Sequence, residues 1–270
     1  TSDIGGDVTT TGSQTYTGAA TLSTAARTLT SSSSGAVLFS STINGTQNLT
    51  VATGGLTTFD GLVGNTTILG AIDISGTGGL DLDAAIAKAD GTAGAASLDV
   101  NGATNLGANV VTTGAQIYTG ATTVSADISL KNTNSNVTFS AALDSDGTPR
   151  DLTIDTGGNT GTVLISAVVG QTNDFDVIAI TGNLDLDADI GADNFSAAGA
   201  TSIAVSGASN LGKDVTTSGT QTYTGAVTLS GEAINLKGTT IQFGSTVAGG
   251  TQNLKVDGIM DLNGAMTDVA

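Results

Sequence analysis

The sequence lacks cysteine, histidine and tryptophan, and its 270 residues include only one proline and three tyrosines. Without cysteine the chain can form neither a disulfide nor a thiolate metal site, so stability must come from packing and hydrogen bonds. No apolar run approaches the roughly 18 to 20 residues that a membrane-spanning helix needs. The sequence therefore predicts no transmembrane segment.

Basic residues are also scarce, since 7 Lys and Arg stand against 24 Asp and Glu and leave a net charge of −17. A surface this acidic repels phosphate backbones and anionic bilayers, so we expect no nucleic-acid partner. The sequence has 39% hydrophobic and only 11% charged residues, so it lacks the low hydrophobicity that usually causes disorder, and we expect the chain to fold. The basic residues stand singly, at Arg27, Lys88, Lys131, Arg150, Lys213, Lys237 and Lys255.

The three tyrosines all lie in one recurring heptapeptide, which reads SQTYTGA, AQIYTGA and TQTYTGA in its three copies. Tyr16, Tyr118 and Tyr223 are 102 and 105 residues apart, so the chain carries a long repeat of about 103 residues in about 2.6 copies. No linker or compositional break divides the sequence, and we predict one domain over residues 1–270.

A shorter repeat of two apolar residues separated by one polar residue recurs within the long one, and a second apolar pair, such as LDLD, follows. Alternation with period two is typical of strands with one buried face, and Gly, Asn, Asp and Ser fill the gaps as turns require. The nine best copies span 205 residues in eight steps of about 26. They are LTVAT from Leu49, IDISG from Ile72, LDVNG from Leu98, ISLKN from Ile128, LTIDT from Leu152, IAITG from Ile178, IAVSG from Ile203, INLKG from Ile234 and LKVDG from Leu254.

Strands that resemble one another at one period favour a solenoid over an antiparallel sandwich or barrel, whose strands occupy unlike environments. We predict an all-β chain folded as a parallel β-helix of roughly 10 to 13 turns, with about 4.8 Å between turns. Two steps are long, at 30 and 31 residues, and both contain the heptapeptide, so each long repeat holds either four uneven turns or five shorter ones. The tyrosines are predicted to be equivalent packing residues, too far apart to stack on one another, with their hydroxyls in water.

The aspartates of the LDLD segments are the candidates for chemistry. Asp81 with Asp83, or Asp185 with Asp187, could meet the carboxylate separation of about 5 to 9.5 Å used in glycoside hydrolysis. The alternation instead places the leucines inside and the aspartates in water, and nothing supplies a convergent pocket. The calcium-binding nonapeptide of β-rolls is absent, so we predict no enzyme, no metal site and no cofactor.

Threonines of the heptapeptide raise a separate possibility, since regular Thr columns order water on the flat faces of ice-binding solenoids. TYT at Thr15–Thr17 and Thr222–Thr224 fits that pattern, but IYT from Ile117 breaks it. Plain β-propensity is the simpler interpretation of these threonines.

Longer segments such as VTTSGTQTYTGAVTL and INLKGTTIQFGSTVAGGTQNLKVDG resemble the repeat region of filamentous-haemagglutinin-like large exoproteins. The resemblance covers nearly the whole chain. It implies a right-handed parallel β-helix shaft that is exported through an outer membrane and used in adhesion, cell contact or matrix building.

We accordingly expect an extracellular or cell-surface structural protein, the β-helix shaft of a large adhesin or fibre. The alternative is a self-assembling subunit of a filament, sheath or surface layer, because an open strand edge is a template for pairing and head-to-tail contacts build filaments. A carbohydrate-active or ice-binding β-helix ranks below both. The expected partners are a second copy end to end, or further repeats in a longer chain, and a cell-surface or carbohydrate receptor.

Overall fold

The computed structural model describes residues 1–158, 160–192 and 197–269. Its regular structure is all β, with no helix among these residues, and parallel sheets stack as a β-solenoid of about 12 turns. Ile72 pairs directly with Leu49, one turn earlier, in parallel register. The predicted parallel solenoid and its predicted number of turns are therefore confirmed.

The described residues contain short strands throughout. The first sixteen are β1 (Ser2–Ile4), β2 (Val8–Thr10), β3 (Gln14–Tyr16), β4 (Ala20–Leu22), β5 (Arg27–Ser31), β6 (Val37–Phe39), β7 (Ile43–Gly45), β8 (Leu49–Thr53), β9 (Thr57–Phe59), β10 (Leu69–Ile74), β11 (Leu80–Leu82), β12 (Ala95–Val100), β13 (Thr104–Leu106), β14 (Val110–Val111), β15 (Gln116–Tyr118) and β16 (Thr122–Val124). The others are β17 (Ile128–Lys131), β18 (Val137–Phe139), β19 (Leu143–Ser145), β20 (Leu152–Asp155), β21 (Thr162–Ile165), β22 (Phe175–Thr181), β23 (Asn183–Leu186), β24 (Ala200–Val205), β25 (Ser209–Leu211), β26 (Val215–Thr216), β27 (Thr220–Tyr223), β28 (Val227–Leu229), β29 (Ala233–Phe243), β30 (Val247–Ala248), β31 (Asn253–Leu262) and β32 (Met266–Thr267).

The chain forms two compact units, of which unit 1 comprises Thr1–Thr122 and Ile128–Thr133. The turns of unit 1 contribute strands or single bridges to three parallel stacks. The first stack runs β2, β5, β8, β10, β12 and β15, and the second runs β3, β6, β9, β11 and β13. In the third stack β1, β4 and β7 are followed by single bridges at Val63 and Ile86, and then by β14 and β17.

Equivalent core positions lie directly above one another in the first stack of unit 1. Leu29, Val51, Ile74, Val100 and Tyr118 follow in register, at separations of 22, 23, 26 and 18 residues, and each is at most 1% exposed. Turn length is therefore uneven, and three of these four separations are shorter than the 26-residue step of the short repeat. Loops at the corners absorb the difference, so the strands keep their alternation of buried and outward side chains.

The long steps of the short repeat arise because the heptapeptide forms a strand of its own. Leu98 pairs with Gln116 in the first stack, whereas Ile128 belongs to β17, which pairs with β14 in the third stack. The 30-residue step from Leu98 to Ile128 therefore covers more than one turn and changes stack. The nine matching pentapeptides do not form one column.

Unit 2, Thr123–Asp127 and Asn134–Ala270, is built in the same way. One stack runs β18, β21, β23, β25, β28, β30 and β32, and a second runs β20, β22, β24, β27 and the last part of β29. A third contains β19, bridges at Val169 and Ile190, then β26 and the first part of β29. The register shifts between Lys237 and Thr240, where β29 passes from one stack to the other.

Asparagine and aspartate side chains tie successive turns together. In unit 1 the Oδ1 atoms of Asp7, Asn48 and Asn109 accept backbone N–H groups 20 to 23 residues later, at 2.7–2.9 Å. Each of these N–H groups lies within the first three residues of its strand, and the side-chain oxygen of the preceding turn satisfies it. Unit 2 repeats them at Asn136, Asp144, Asn183, Asp189 and Asp214.

Glycine is required where turns approach each other most closely. Gly64 has φ +74°, and a Cβ there would lie 1.8 Å from the carbonyl oxygen of Gly94. Gly170 in unit 2 has φ +63°, and a Cβ there would lie 2.1 Å from the carbonyl oxygen of Gly199. At both positions only a residue without a side chain fits the backbone.

Candidate functional sites

The three tyrosines of the heptapeptide occupy different environments. Within unit 1, Tyr16 belongs to the second stack and Tyr118 to the first, so 102 residues do not amount to a whole number of turns. Tyr16 stacks on Phe39 with ring centroids 4.7 Å apart, and Phe39 meets Phe59 edge to face at 5.7 Å. In unit 2, Tyr223 stacks on Phe243 at 5.7 Å. The tyrosines are packing residues, as predicted, but Tyr16 and Tyr118 are not equivalent, because they lie in different stacks. Tyr16 and Tyr223 join aromatic columns that include phenylalanines.

The prediction that the tyrosine hydroxyls lie in water is wrong for the second and third copies. Tyr118 and Tyr223 are 0% exposed, and each donates its hydroxyl hydrogen to Oε1 of the glutamine two residues earlier, at 3.1 and 3.2 Å. Burial raises the pKa of both phenols above the ordinary value of 10. Tyr16 is only half-buried, because it lies in the first turn of unit 1.

Each glutamine is the centre of a buried hydrogen-bond network. Gln221 Nε2 donates to the carbonyl oxygens of Val215 at 2.9 Å and Lys237 at 2.8 Å, and it lies 3.4 Å from Thr217 Oγ1. Thr217 Oγ1 in turn donates to the Gly219 carbonyl at 3.0 Å. One side chain thereby joins its own corner to the next turn, which is a structural role.

The other two copies repeat this network, with Gln116 and Thr112 in one and Gln14 and Thr10 in the other. Sequence reasoning missed these residues. Glutamine always stands two residues before the tyrosine and threonine always six before it, a spacing that could have revealed them.

The LDLD aspartates point outward, as predicted, and each copy has an asparagine partner on the next turn. Leu80 and Leu82 are at most 1% exposed, while Asp81 Oδ1 accepts a hydrogen bond from Asn105 Nδ2 at 2.8 Å. Asp185 and Asn210 repeat this contact at 2.8 Å. The hydrogen bond holds each carboxylate against the sheet surface.

Carboxylates on the same turn and on neighbouring turns of unit 1 repel one another. Partial burial, then Asp81, then Asp60 raise the pKa of Asp83. Burial and then Asp73, its in-register neighbour, raise the pKa of Asp99, whose Oδ1 has no hydrogen-bond partner. Among the described residues, no three acidic side chains lie close enough together to hold a metal ion.

Threonines of the heptapeptide do not align into columns. Thr15 registers with Leu38, and Thr222 registers with Ala204 on one side and Gln242 on the other. A flat array of repeated threonines is therefore missing at these strands.

Two of the basic residues are engaged within the protein. Arg27, 7% exposed, occupies a core position in register with Leu49, and its guanidinium donates to the carbonyls of Ile4 at 2.8 Å and Ser23 at 2.5 Å. Arg150 forms an exposed ion pair with Asp146 at 2.8 Å.

Shallow grooves mark the surface of both units. In unit 2, one of about 310 Å³ lies beside Asp185 and Asn210, and one of about 550 Å³ lies beside Lys237 and Ile259. A third, of about 350 Å³, lies in unit 1 and is lined by Ala85, Ala87, Lys88, Ala89, Gly91, Asn109, Val111, Ser129 and Lys131; we call it the lysine groove. Lys88 and Lys131 are 43 residues apart, and no sequence pattern predicted that they share a groove.

The last described turn of unit 2 exposes its core. Strand β31 pairs only with β29, and β32 only with β30, among the described strands. Met260 registers with the buried Ile241 and Met266 with the buried Val247, yet they are 46% and 38% exposed, and Ile259 is 69% exposed. Unpaired backbone groups and apolar side chains thus lie side by side on this turn.

The fold defines the chain as a β-solenoid repeat protein. No protein family matches it, and neither a curated protein nor a solved structure is significantly similar. Within the described part of the chain, no helix is long and apolar enough to span a membrane.

Proposed function

We propose that this chain is a structural, non-catalytic β-solenoid of a large extracellular or cell-surface protein, the shaft of an adhesin or fibre. The observation that carries the proposal is in-register parallel stacking, in which the same positions pack on one another turn after turn in each unit. Such a solenoid lengthens by adding turns without needing a new core. The likeness of the heptapeptide regions to filamentous-haemagglutinin-like repeats supports the same role.

The surface supports a structural role over catalysis. The grooves are shallow, Asp81 and Asp185 accept hydrogen bonds from asparagines, and the buried polar networks connect turns to each other. A carbohydrate-active β-helix would use Asp81 and Asp83, so an Asp81→Asn, Asp83→Asn variant assayed on neutral and acidic polysaccharides tests that alternative. Turnover by the natural chain that the variant loses would overturn the non-catalytic assignment.

Immunogold labelling of intact producing cells tests the surface role directly. We expect label on the outside of unpermeabilised cells and on material that extends from them. Label that appears only after permeabilisation would contradict the proposal.

A second candidate is a subunit that assembles head to tail, since the backbone edge of a solenoid turn can pair with another strand. Strand addition at β31 and β32 would pair their free backbone groups and cover Ile259, Met260 and Met266. We expect the chain to form end-to-end polymers in electron micrographs as concentration rises, and a Met260→Lys, Met266→Lys variant to remain monomeric. A natural chain that stays monomeric at millimolar concentration would dismiss this candidate.

A further inference from the structure

The lysine groove is formed by small residues beneath a projecting loop. Ile86, Val110 and Leu130 are buried and in register on three successive turns of unit 1. Their neighbours in the chain form the floor, which consists of Ala85, Asn109 and Ser129 on one side and of Ala87, Val111 and Lys131 on the other. Small side chains on the first turn leave a depression there.

One wall of the groove is a loop that begins at Ala87 and ends at Ala93, and these two residues form an antiparallel bridge. Lys88 N–H donates to the Thr92 carbonyl at 2.9 Å, which closes the loop. Asp90 Oδ1 accepts hydrogen bonds from the N–H and the hydroxyl of Thr92, at 3.0 and 2.6 Å. These contacts fix the loop that presents Lys88, and they engage the carboxylate of Asp90 with Thr92.

The polar side chains that line the groove are all able to donate hydrogen bonds. Lys88 and Lys131 supply ammonium groups, and Asn109 Oδ1 accepts the Ser129 N–H at 2.7 Å, which leaves the Asn109 amide NH₂ as a donor. The Ser129 hydroxyl is shielded from solvent and has no hydrogen-bond partner among the described residues. Such a set matches a ligand rich in oxygen acceptors that carries negative charge.

The positive charge of unit 1 is concentrated at this groove. Unit 1 has eight aspartates and three basic side chains, and one of the three, Arg27, is buried. The other two both line this groove, whereas none of the eight aspartates does. An anion that the rest of the surface repels therefore finds a local site here.

We propose that the lysine groove binds a carboxylated sugar residue of an acidic polysaccharide. A peptide cannot join the floor as an added strand, because the floor segments already pair, with Ile86 N–H donating to Asn109 at 3.0 Å and Val111 N–H to Ile86 at 2.8 Å. No aromatic side chain lines the groove for stacking on a neutral sugar. Its volume of about 350 Å³ lies at the low end of the range for ligand clefts, about 300 to 1,000 Å³.

Calorimetry with trigalacturonate tests the site, with the neutral galactose trimer and a triglutamate peptide as comparison ligands. We expect saturable binding of trigalacturonate alone. A Lys88→Gln, Lys131→Gln variant should weaken it at least about tenfold, as expected for the loss of two charge-assisted contacts. The matched control, Lys213→Gln, Lys255→Gln, removes the same charge from residues that do not line the groove and should change the affinity less than about twofold, since salt screens exposed charges that do not contact the ligand.

Asn109→Asp provides a second variant that keeps the acceptor for Ser129 N–H while replacing the amide donor by a carboxylate. It should abolish binding with an unchanged circular dichroism spectrum. Absence of trigalacturonate binding, equal losses in the groove variant and the control, or equally tight binding of triglutamate would each overturn the proposal. It names a partner for the proposed surface role, but its failure would leave that role standing, because immunogold labelling tests the role independently.

Discussion

Replacement of Gln221 by leucine tests whether the buried glutamine network stabilises the solenoid. Leucine has a similar size, so the change removes hydrogen bonds with little loss of packing. Gln221 and Tyr223 are both 0% exposed, and the substitution deprives the Tyr223 hydroxyl of its acceptor at 3.2 Å. A buried polar group left unpaired costs about 1–3 kcal/mol.

The donor side of the network contributes less. The Lys237 carbonyl still accepts the Thr217 backbone N–H at 2.8 Å after the substitution, so the lost side-chain bond there is worth about 1 kcal/mol. The sum for Gln221→Leu is a loss of about 2–4 kcal/mol. Adding Tyr223→Phe removes the stranded hydroxyl, so the double variant should be more stable than Gln221→Leu by about 1–2 kcal/mol.

Gln14→Leu is the matched control in the first turn of unit 1. Tyr16 is half-buried there, so water can replace the lost partner, and we expect a cost of about 1 kcal/mol or less. Urea unfolding, combined with native-state hydrogen exchange because repeat proteins open locally, measures both variants. Equal costs at Gln221 and Gln14, or a double variant no more stable than Gln221→Leu, would refute the reasoning.

Three further substitutions probe other features. Arg27→Ala should destabilise the first turns of unit 1 by about 1–3 kcal/mol, because buried carbonyls lose their hydrogen-bond donor. Urea titration measures the loss, and an unchanged unfolding midpoint would contradict the structural role of Arg27. Asp99→Asn should stabilise unit 1 at pH 7 by about 0.2–1 kcal/mol, because it removes a like charge facing Asp73. The pKa of Asp99 is raised in the folded chain, so the repulsion that destabilises the fold is relieved as pH falls through that pKa. The stability gained by Asp99→Asn should therefore vanish near pH 3. A gain in stability that persists at pH 3 would exclude repulsion as its cause. Gly64→Ala should lower the free energy of unfolding by about 2 kcal/mol or more, measured by thermal melting. Gly6→Ala should lower it far less, because no atom lies within 4 Å of the added Cβ. Similar losses for the two variants would contradict the close approach of the turns at Gly64.

The fold could be predicted from the sequence because its main signal is local. Alternation of period two marks which side chains face the core, and near-identical segments imply that like positions stack. Leu49 and Ile72 lie one on the other, as that argument requires. The LDLD leucines face inward for the same reason.

The candidate sites were harder to predict, because they depend on contacts between turns. The position of Tyr118 relative to Gln116 is local, but its full burial depends on the turns that cover it. Lys88 and Lys131 line the same groove only because the stacking of turns and a projecting loop place them there. No spacing along the chain predicts that these two lysines share a groove.

By itself, the sequence determined that the chain is all β, parallel and repetitive, since strand alternation and recurrence are properties of neighbouring residues. Only the tertiary structure decided which stack receives each copy of the heptapeptide. Tyr16 and Tyr118 fall in different stacks of unit 1 because turns of unequal length accumulate, and the 102 residues between them do not close a whole number of turns. Register along a solenoid is a sum over all its loops, and no single segment carries it.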